Sequence, residues 1–482
     1  MKILALVPSS KFAKNVARDL IYGCWCQGKR IGGISFPPIT LILVGTILKQ
    51  TGHKVRLLDA AAEGINLNLL LKIASRYEAV IILTSTMSIN EDAGLLNKIK
   101  KKNPNLKTIV FGSHPTFLPK DTLSKEGIDI VVRREPEYIV RDLVSALEKG
   151  GLDWKQVKGI GYMEDGEYII NDFYPFIQDL DFLPVPDRRM LLENADYFNP
   201  VVKRLPYTTM FTSRGCPGKC TFCSSPSFYG KQIRFSSAER VLKELKIIQK
   251  LGYKEVFFRD EMFTLSRKRV KEICKGIMEK NIDLTWICSS RVDALDKEIM
   301  SIMKRAGCHM IRLGVESGMQ EILDNIKKGI KISQTTDVFK WAHEVGLDTH
   351  AHLMLGAPGE TLRTIDKTMR FVKNIDPTIV TFGICSPYPG TLLFEQVKEK
   401  YPEVGDGSSC DLQNLHTQGF YNQAFTGLSS EMLSSSVGRA YRSFYIRPAY
   451  LLRWLFRINS MDELRRVMLA GTQVINFALK GD

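Results

Sequence analysis

The chain has 482 residues, 44% of them hydrophobic and 25% charged, a composition typical of a globular protein rather than a disordered one. Its length predicts two or three domains, and no apolar run reaches the roughly 20 residues that a membrane span requires. A net charge of +15 suggests nucleic acid or an anionic membrane as partners, although a basic surface that binds nothing specific explains it equally well. The sequence holds no basic tail, zinc-finger pattern or RNA-binding aromatic motif, so we expect no nucleic-acid partner.

The first 150 residues alternate predicted strands with predicted helices. Apolar runs at 2–8, 54–60, 79–86, 106–112 and 128–134 are typical of buried parallel strands, and helical patterns cover 37–52, 65–77, 89–102 and 137–150. This order predicts a doubly wound, Rossmann-like sheet with ligands at the carboxyl ends of its strands. No glycine motif for a dinucleotide or a nucleoside triphosphate occurs. The apolar run at the N-terminus is short, which predicts a strand rather than a secretory signal peptide, so we expect a cytoplasmic protein.

A second alternating series follows a linker. Residues 151–200 contain a hairpin signal at Asp165-Gly166 and an extended, proline-containing stretch. Within 201–395, strands are predicted at 207–213, 254–260, 283–290, 310–317, 348–356 and 379–387, with helices near 237–250, 266–280, 295–306, 333–345 and 361–374. Six such units predict a partial (β/α)6 barrel with its chemistry at the C-terminal strand ends. Residues 396–482 show no strand alternation and are predicted to be helical, basic and aromatic.

Three of the ten cysteines form a cluster directly after the first barrel strand. Cys216, Cys220 and Cys223 have the spacing C-x3-C-x2-C, whereas the other seven are scattered, and most of these are typical of small buried apolar residues. Three neighbouring thiols indicate a metal site. Zinc would need a fourth ligand brought by folding, because no further cysteine or histidine is nearby. On an iron–sulfur cubane, three thiolates would leave one iron open to another ligand.

This cysteine motif, on the first loop of a partial six-unit barrel, resembles that of the radical S-adenosylmethionine (SAM) superfamily. The resemblance implies a [4Fe–4S] cluster whose open iron binds SAM, and cleavage of SAM to a radical that abstracts hydrogen from an unactivated carbon. It also implies an external electron donor of the flavodoxin or ferredoxin type. A non-catalytic iron–sulfur electron carrier or sensor is the alternative from another class of protein.

The downstream strand ends resemble the SAM-binding positions of the superfamily. Each of these positions has a simpler explanation as a helix cap, a surface ion pair or a turn. Together, however, they follow one another along the chain, each at the end of a strand, and an iron–sulfur electron carrier would not need them. The resemblance places Asp260 and Glu261 on the amino group of SAM, Arg291 on its carboxylate, Glu316 on the ribose, and Gly356 and Pro389 on the adenine side.

The first domain resembles that of cobalamin-binding radical SAM proteins, which include methylases, the anaerobic magnesium-protoporphyrin cyclase and hopanoid-modifying enzymes. The matching segments are 31–60, 111–119 and 131–137. The motif D-x-H-x-x-G, which supplies a histidine to cobalt, is absent. The resemblance implies that the tail of cobalamin lies beside Thr84, Ser85, Thr86 and Gly112. A vestigial domain that only shapes the substrate pocket is the alternative.

Two further segments have open roles. The glycine-rich loop 22–33, with Cys24 and Cys26, is predicted to cover the site, and the role of Cys410 is open. Around Arg453 and Arg457, bulky apolar residues indicate one of two structures: a helix on the anionic inner face of a membrane, or a core helix with its arginines at the protein surface.

Taken together, these features predict cobalamin-dependent C-methylation of a hydrophobic, isoprenoid or lipid-like substrate. The alternative is radical cyclisation or C–C bond formation without methyl transfer.

Overall fold

The computed structural model describes residues 1–9, 35–191, 195, 197–412, 419, 421–455, 458 and 461–480. The predicted covering loop 22–33, with Cys24 and Cys26, lies outside the described residues, and so does Arg457. The described chain forms two large sheets, each with helices packed against it, and a helical C-terminal region.

The first sheet has seven strands in the order β2-β1-β3-β4-β5-β6-β7. The strands are β1 (Lys2–Val7), β2 (Lys54–Asp59), β3 (Ala79–Thr84), β4 (Lys107–Gly112), β5 (Ile130–Val132), β6 (Ile160–Glu164) and β7 (Glu167–Ile170). The helices are α1 (Ile39–Gln50), α2 (Leu67–Ala74), α3 (Ile89–Lys102), α4 (Ser113–Phe117), α5 (Pro119–Ser124) and α6 (Pro136–Lys149). The first five strands are parallel. The central strand β3 is buried on both faces, which explains its continuous apolar run, whereas the edge strand β2 exposes Lys54 and Arg56.

The predicted boundary at residue 150 needs correction. The hairpin β6–β7, which we assigned to the linker, pairs antiparallel with β5 through Val132 and Ile160, so it extends the first sheet. The extended linker begins only after Ile170. Sequence patterns identify a hairpin locally but do not show which edge strand it pairs with, and this caused the error.

The second sheet has six parallel strands in the order β15-β14-β13-β12-β11-β8, as the sequence predicts for a partial barrel. Its strands are β8 (Tyr207–Met210), β11 (Glu255–Phe258), β12 (Thr285–Ser290), β13 (Cys308–Glu316), β14 (Asp348–Leu355) and β15 (Ile379–Ile384). A two-stranded ribbon, β9 (Ser213–Arg214) and β10 (Arg234–Phe235), follows β8. The helices are α7 (Ser225–Tyr229), α8 (Ala238–Lys250), α9 (Arg267–Glu279), α10 (Lys297–Arg305), α11 (Gln320–Asn325), α12 (Ile332–Val345), α13 (Leu362–Ile375) and α14 (Leu392–Lys400).

The C-terminal helices α15 (Ser430–Tyr445), α16 (Pro448–Leu455) and α17 (Met461–Lys480) cover the edge strand β15. The Tyr445 hydroxyl donates to the Val380 carbonyl at 2.6 Å and accepts from the Val380 N–H at 3.1 Å. The Tyr450 hydroxyl donates to the Thr378 carbonyl at 3.0 Å. An open barrel has an exposed edge that invites pairing with other chains, and these tyrosines satisfy its backbone groups instead.

The same region contains the segment that we considered for membrane binding. The Arg453 guanidinium forms an ion pair with Asp376, at the end of α13, so this arginine is engaged within the protein rather than directed to a lipid headgroup. The neighbouring side chains Leu451 and Leu452 are 48% and 57% exposed. Among the described residues, no helix has the length and apolarity that crossing a bilayer requires.

Candidate functional site

The three clustered cysteines lie in a loop closed at its base by the ribbon β9–β10. Gly215 has φ +93°, and a Cβ there would lie 2.3 Å from the Gln232 carbonyl, so only glycine fits this turn. A Cβ at Gly218 would lie 3.2 Å from the Cys216 Sγ and 3.8 Å from the Cys220 Sγ, so the loop backbone runs close beneath two of the thiols. Cys216, Cys220 and Cys223 all line one cavity. The structure therefore brings the predicted triad together.

The arrangement of the thiols fits a cluster. Among the described residues, no three Cys, His, Asp or Glu side chains are placed to hold one metal ion. A cubane does not require such convergence, since each thiolate binds a different iron. Burial raises the pKa of the Cys216 thiol and of the Cys223 thiol, so their thiolates need a positively charged partner such as cluster iron.

Arg291 and the pair Glu316–Lys328 form a second group in the cavity. Arg291 follows β12, and its Nη1 lies 3.7 Å from the Cys220 Sγ while its Nη2 donates to the Lys328 carbonyl at 2.7 Å. Glu316, at the end of β13, pairs with the Lys328 Nζ at 2.7 Å, and both side chains are 7% exposed. Burial by itself would lower the pKa of Lys328, but the Glu316 carboxylate and the Cys220 thiol raise it overall. The predicted residues Arg291 and Glu316 therefore both lie beside the cysteines.

The sequence analysis missed Lys328. It lies in the loop after the short helix α11, where no motif distinguishes it from other surface lysines. The structural signal is steric: a Cβ at Gly314 would lie 2.3 Å from the Glu316 Oε1 and 2.8 Å from the Lys328 Nζ. Glycine on β13 thus makes room for the ion pair.

The two predicted acids after β11 have different environments. Glu261 lines the cavity, and burial raises its pKa to about 8. Asp260 is fully buried and accepts from the Thr212 N–H at 2.7 Å and from the Ser213 hydroxyl at 2.7 Å. Asp260 does not line the cavity, and its carboxylate joins the end of β11 to the segment that leads into the cysteine loop; its contact with SAM stays a prediction.

Both predicted adenine-side residues make packing contacts with later segments of the chain. Gly356 has φ +83°, and its carbonyl accepts from the Asn422 Nδ2 at 2.7 Å, so it packs against the C-terminal region. Pro389 is buried against Gly407. Neither residue lines the cavity, whereas their neighbours do: Met354, Ile384, Ser386 and Tyr388.

The carboxyl edge of the first sheet is the predicted cobalamin site. Thr84 and Ser85 are buried, with the Thr84 hydroxyl donating to Asp92 at 2.7 Å and the Ser85 hydroxyl 3.2 Å from that of Ser88. A Cβ at Gly112 would lie 2.0 Å from the Thr84 carbonyl, so this glycine permits close strand approach. Thr86 is half-buried.

No histidine of the described edge is poised for cobalt. His114 is 3% exposed, and its Nδ1 and Nε2 lie 3.3 Å from the Thr86 hydroxyl and 2.7 Å from the Asp121 carboxylate. Both ring nitrogens of His114 are therefore engaged within the protein. The contacts of cobalamin with Thr84, Ser85, Thr86 and Gly112 stay predictions.

Comparison with known families assigns both sheets. Residues 210–372 match the radical SAM superfamily, and residues 33–144 match the B12 binding domain. The first match contains the cysteine loop and the barrel strands β11 to β14, and the second contains the strands β2 to β5 of the first sheet.

Three relatives cover most of the chain. An uncharacterized methyltransferase of Pyrococcus horikoshii, PH0819, is 33% identical over 460 residues, 95% of each chain. The anaerobic magnesium-protoporphyrin IX monomethyl ester cyclase of Rubrivivax gelatinosus is 27% identical over 92% of this chain and 79% of its own. The structure of OxsB, a cobalamin-dependent SAM radical enzyme with aqua-cobalamin and SAM bound, superimposes with a TM-score of 0.71 at 18% identity, over 99% of this chain and 71% of its own. The chain therefore belongs to the cobalamin-dependent radical SAM methyltransferase family, whose cofactors are a [4Fe–4S] cluster, SAM and cobalamin.

Proposed function

We propose that the protein transfers a methyl group to an unactivated carbon of a hydrophobic, isoprenoid or lipid-like substrate. The observation that carries this proposal is the composition of the cavity beside the cysteine loop. One wall holds the three thiols with Arg291, and apolar side chains supply much of the remainder: Phe222, Met262, Met354, Ile384 and Tyr388.

Each polar group on the cysteine wall has a proposed task. Cys216, Cys220 and Cys223 hold the cluster and leave one iron for SAM. Glu261 accepts from the amino group of SAM, and Arg291 binds its carboxylate, since a guanidinium matches a carboxylate in charge and shape. When bound, the cluster and SAM supply a 5′-deoxyadenosyl radical, and cobalamin supplies the methyl group.

The pair Glu316–Lys328 has a positioning task. The Lys328 ammonium fixes the Glu316 carboxylate through a 2.7 Å ion pair, and the Lys328 carbonyl holds the Arg291 guanidinium beside Cys220. A fixed carboxylate can accept from the ribose hydroxyls of SAM. The apolar part of the cavity then receives the substrate and excludes water, which protects reactive species from side reactions.

Radical cyclisation is the second candidate, because the Rubrivivax gelatinosus relative is named as a cyclase and covers nearly the whole chain. One experiment separates the two. Reconstituted protein is given SAM with a deuterated methyl group, a strong reductant and a lipid extract of the source cells. Methylation predicts a product that carries the labelled methyl group, whereas cyclisation predicts a product that has lost two hydrogens and gained no label. If neither product forms while SAM is cleaved, the proposed substrate class is refuted.

We also propose an external electron donor and docking to an anionic membrane surface. The net charge of +15 complements acidic flavodoxins or ferredoxins as well as anionic lipids. The C-terminal helices expose Leu451, Leu452, Met468 and Leu469 at 47–60%. Cosedimentation with vesicles containing anionic lipid should fall when Leu451 and Leu452 are both replaced by Ser, and unchanged binding would refute the membrane proposal.

A further inference from the structure

Two glutamates of the first domain and two arginines of the cysteine loop form a buried ion network, here called the clasp. The Arg234 guanidinium donates to both Glu135 oxygens, at 2.7 and 2.9 Å. The Arg214 guanidinium donates to both Glu137 oxygens and lies 3.4 Å from Glu135. All four side chains are 5% exposed or less. The family match accounts for each domain but not for these contacts between them.

The clasp holds the base of the cysteine loop. Arg214 and Arg234 are register partners in the ribbon β9–β10, and the loop between them carries all three cysteines. Two like charges directly opposite each other destabilise a ribbon. Glu135 reaches both guanidinium groups, so this carboxylate of the first domain neutralises a repulsion inside the second.

The glutamates belong to the carboxyl edge of the first sheet, where we place cobalamin. They flank Pro136 at the start of α6, directly after β5. Arg134, just before them, has φ +69°, an unusual conformation for a residue other than glycine. Such local strain persists where surrounding contacts require it. Here the strained residue directly precedes the segment whose two glutamates contact the ribbon.

Stability alone is a poor explanation for the clasp. Moving two ion pairs out of water carries a large desolvation cost, and apolar residues often replace buried ion pairs without loss. What an ion network provides is one defined geometry, since bidentate pairs restrict distance and angle. The Glu135 Oε2 also accepts from the Ile177 N–H at 2.8 Å, which adds the linker to the same arrangement.

We propose that Glu135 and Glu137 are positioning residues that set the distance between the cobalamin edge and the cysteine loop. This inference rests on the placement of cobalamin under the proposed function. Methyl transfer requires that one substrate carbon meets both the adenosyl radical and the methyl donor, and a fixed separation permits that.

The test measures distance rather than activity. Cob(II)alamin and the reduced [4Fe–4S] cluster each carry an unpaired spin, so pulsed dipolar EPR reports their separation in the loaded protein. The wild type should give one narrow distance. Glu135→Gln and Glu137→Gln should each broaden or shift it. Asp366→Asn, which breaks the exposed pair with Arg439 outside the linker, is the matched control and should leave the distance unchanged. Gln variants with the wild-type distance distribution would overturn the proposal.

A second measurement covers variants that do not retain both cofactors. Limited proteolysis of the cofactor-free full chain should cut the linker 171–206 faster in the Gln variants than in Asp366→Asn. Equal rates would overturn the clasp as a device that holds the domains together. Wild-type protein that retains no cobalamin would contradict the proposed function instead, and the proteolysis arm would then decide on the clasp separately.

Discussion

The pair Glu316–Lys328 offers a quantitative test of how the cavity is built. Its charges are 2.7 Å apart and both side chains are 7% exposed. At an effective dielectric constant of about 20 their attraction is about 6 kcal/mol, most of which offsets desolvation. Replacing Lys328 by Met leaves a buried carboxylate without its cation, and such losses cost about 3–5 kcal/mol. For a domain of this size, that corresponds to a melting temperature lowered by about 6–20 °C.

The assay is a double-mutant cycle on anaerobic, cluster-loaded protein. Lys328→Met and Glu316→Gln should each lower the melting temperature of the barrel, and the double variant should recover most of the loss because no unpaired charge remains. SAM affinity should fall in all three variants, since each disturbs the carboxylate proposed for the ribose. Single variants that melt within about 2 °C of the wild type, or a double variant whose loss equals the sum of the singles, would refute the reasoning.

Three further predictions concern the framework of the site. Gly112→Ala should unfold the first domain or abolish cobalamin retention, since its Cβ would lie 2.0 Å from the Thr84 carbonyl. The control Gly94→Ala, in α3 with open space around the residue, should fold normally. Equal cobalamin binding by both variants would contradict this prediction. Tyr445→Phe should cost about 1–3 kcal/mol, because both backbone groups of Val380 lose their partner; a denaturation midpoint equal to that of the wild type would be against it. Burial raises the pKa of Glu360 to about 7, above its usual 4.5. Between pH 4.5 and 7 the native state therefore keeps a proton that the unfolded chain releases. The contribution of Glu360 to the free energy of unfolding is greatest below pH 4.5 and falls by at most about 3 kcal/mol up to pH 7. Glu360→Gln should flatten the dependence of the melting temperature on pH between 4.5 and 7. An unchanged slope would contradict the raised pKa of Glu360.

The sequence predicts the strands well for a physical reason. Parallel strands buried on both faces must be continuous apolar runs, so all eleven parallel strands of the two large sheets fall within predicted segments or within two residues of them. The cysteine triad is equally readable, because its ligands are close together in sequence. Arg291, Glu316 and Glu261 line one cavity because the strand ends of a barrel converge on one face.

What the sequence does not show depends on contacts between distant segments. Asp260 and Glu261 are neighbours, and only the fold reveals that Thr212 and Ser213 take up the first of them. Gly356 resembles a ligand-binding turn, but Asn422 occupies it from 66 residues away. Lys328 has no motif of its own. The clasp also escapes pattern analysis, since Glu135 is an ordinary acid until the ribbon brings two arginines to it.

The central claim is that Cys216, Cys220 and Cys223 hold a [4Fe–4S] cluster whose open iron binds and cleaves SAM. The most direct measurement is formation of 5′-deoxyadenosine by reconstituted protein given SAM and a strong reductant, with iron determined in the same sample. We predict 5′-deoxyadenosine from the wild type, and neither cluster nor product from the variant with all three cysteines replaced by Ala. A wild type that holds four irons and yet yields no 5′-deoxyadenosine would contradict the enzymatic assignment, and a four-iron cluster in the triple variant would contradict the ligand assignment.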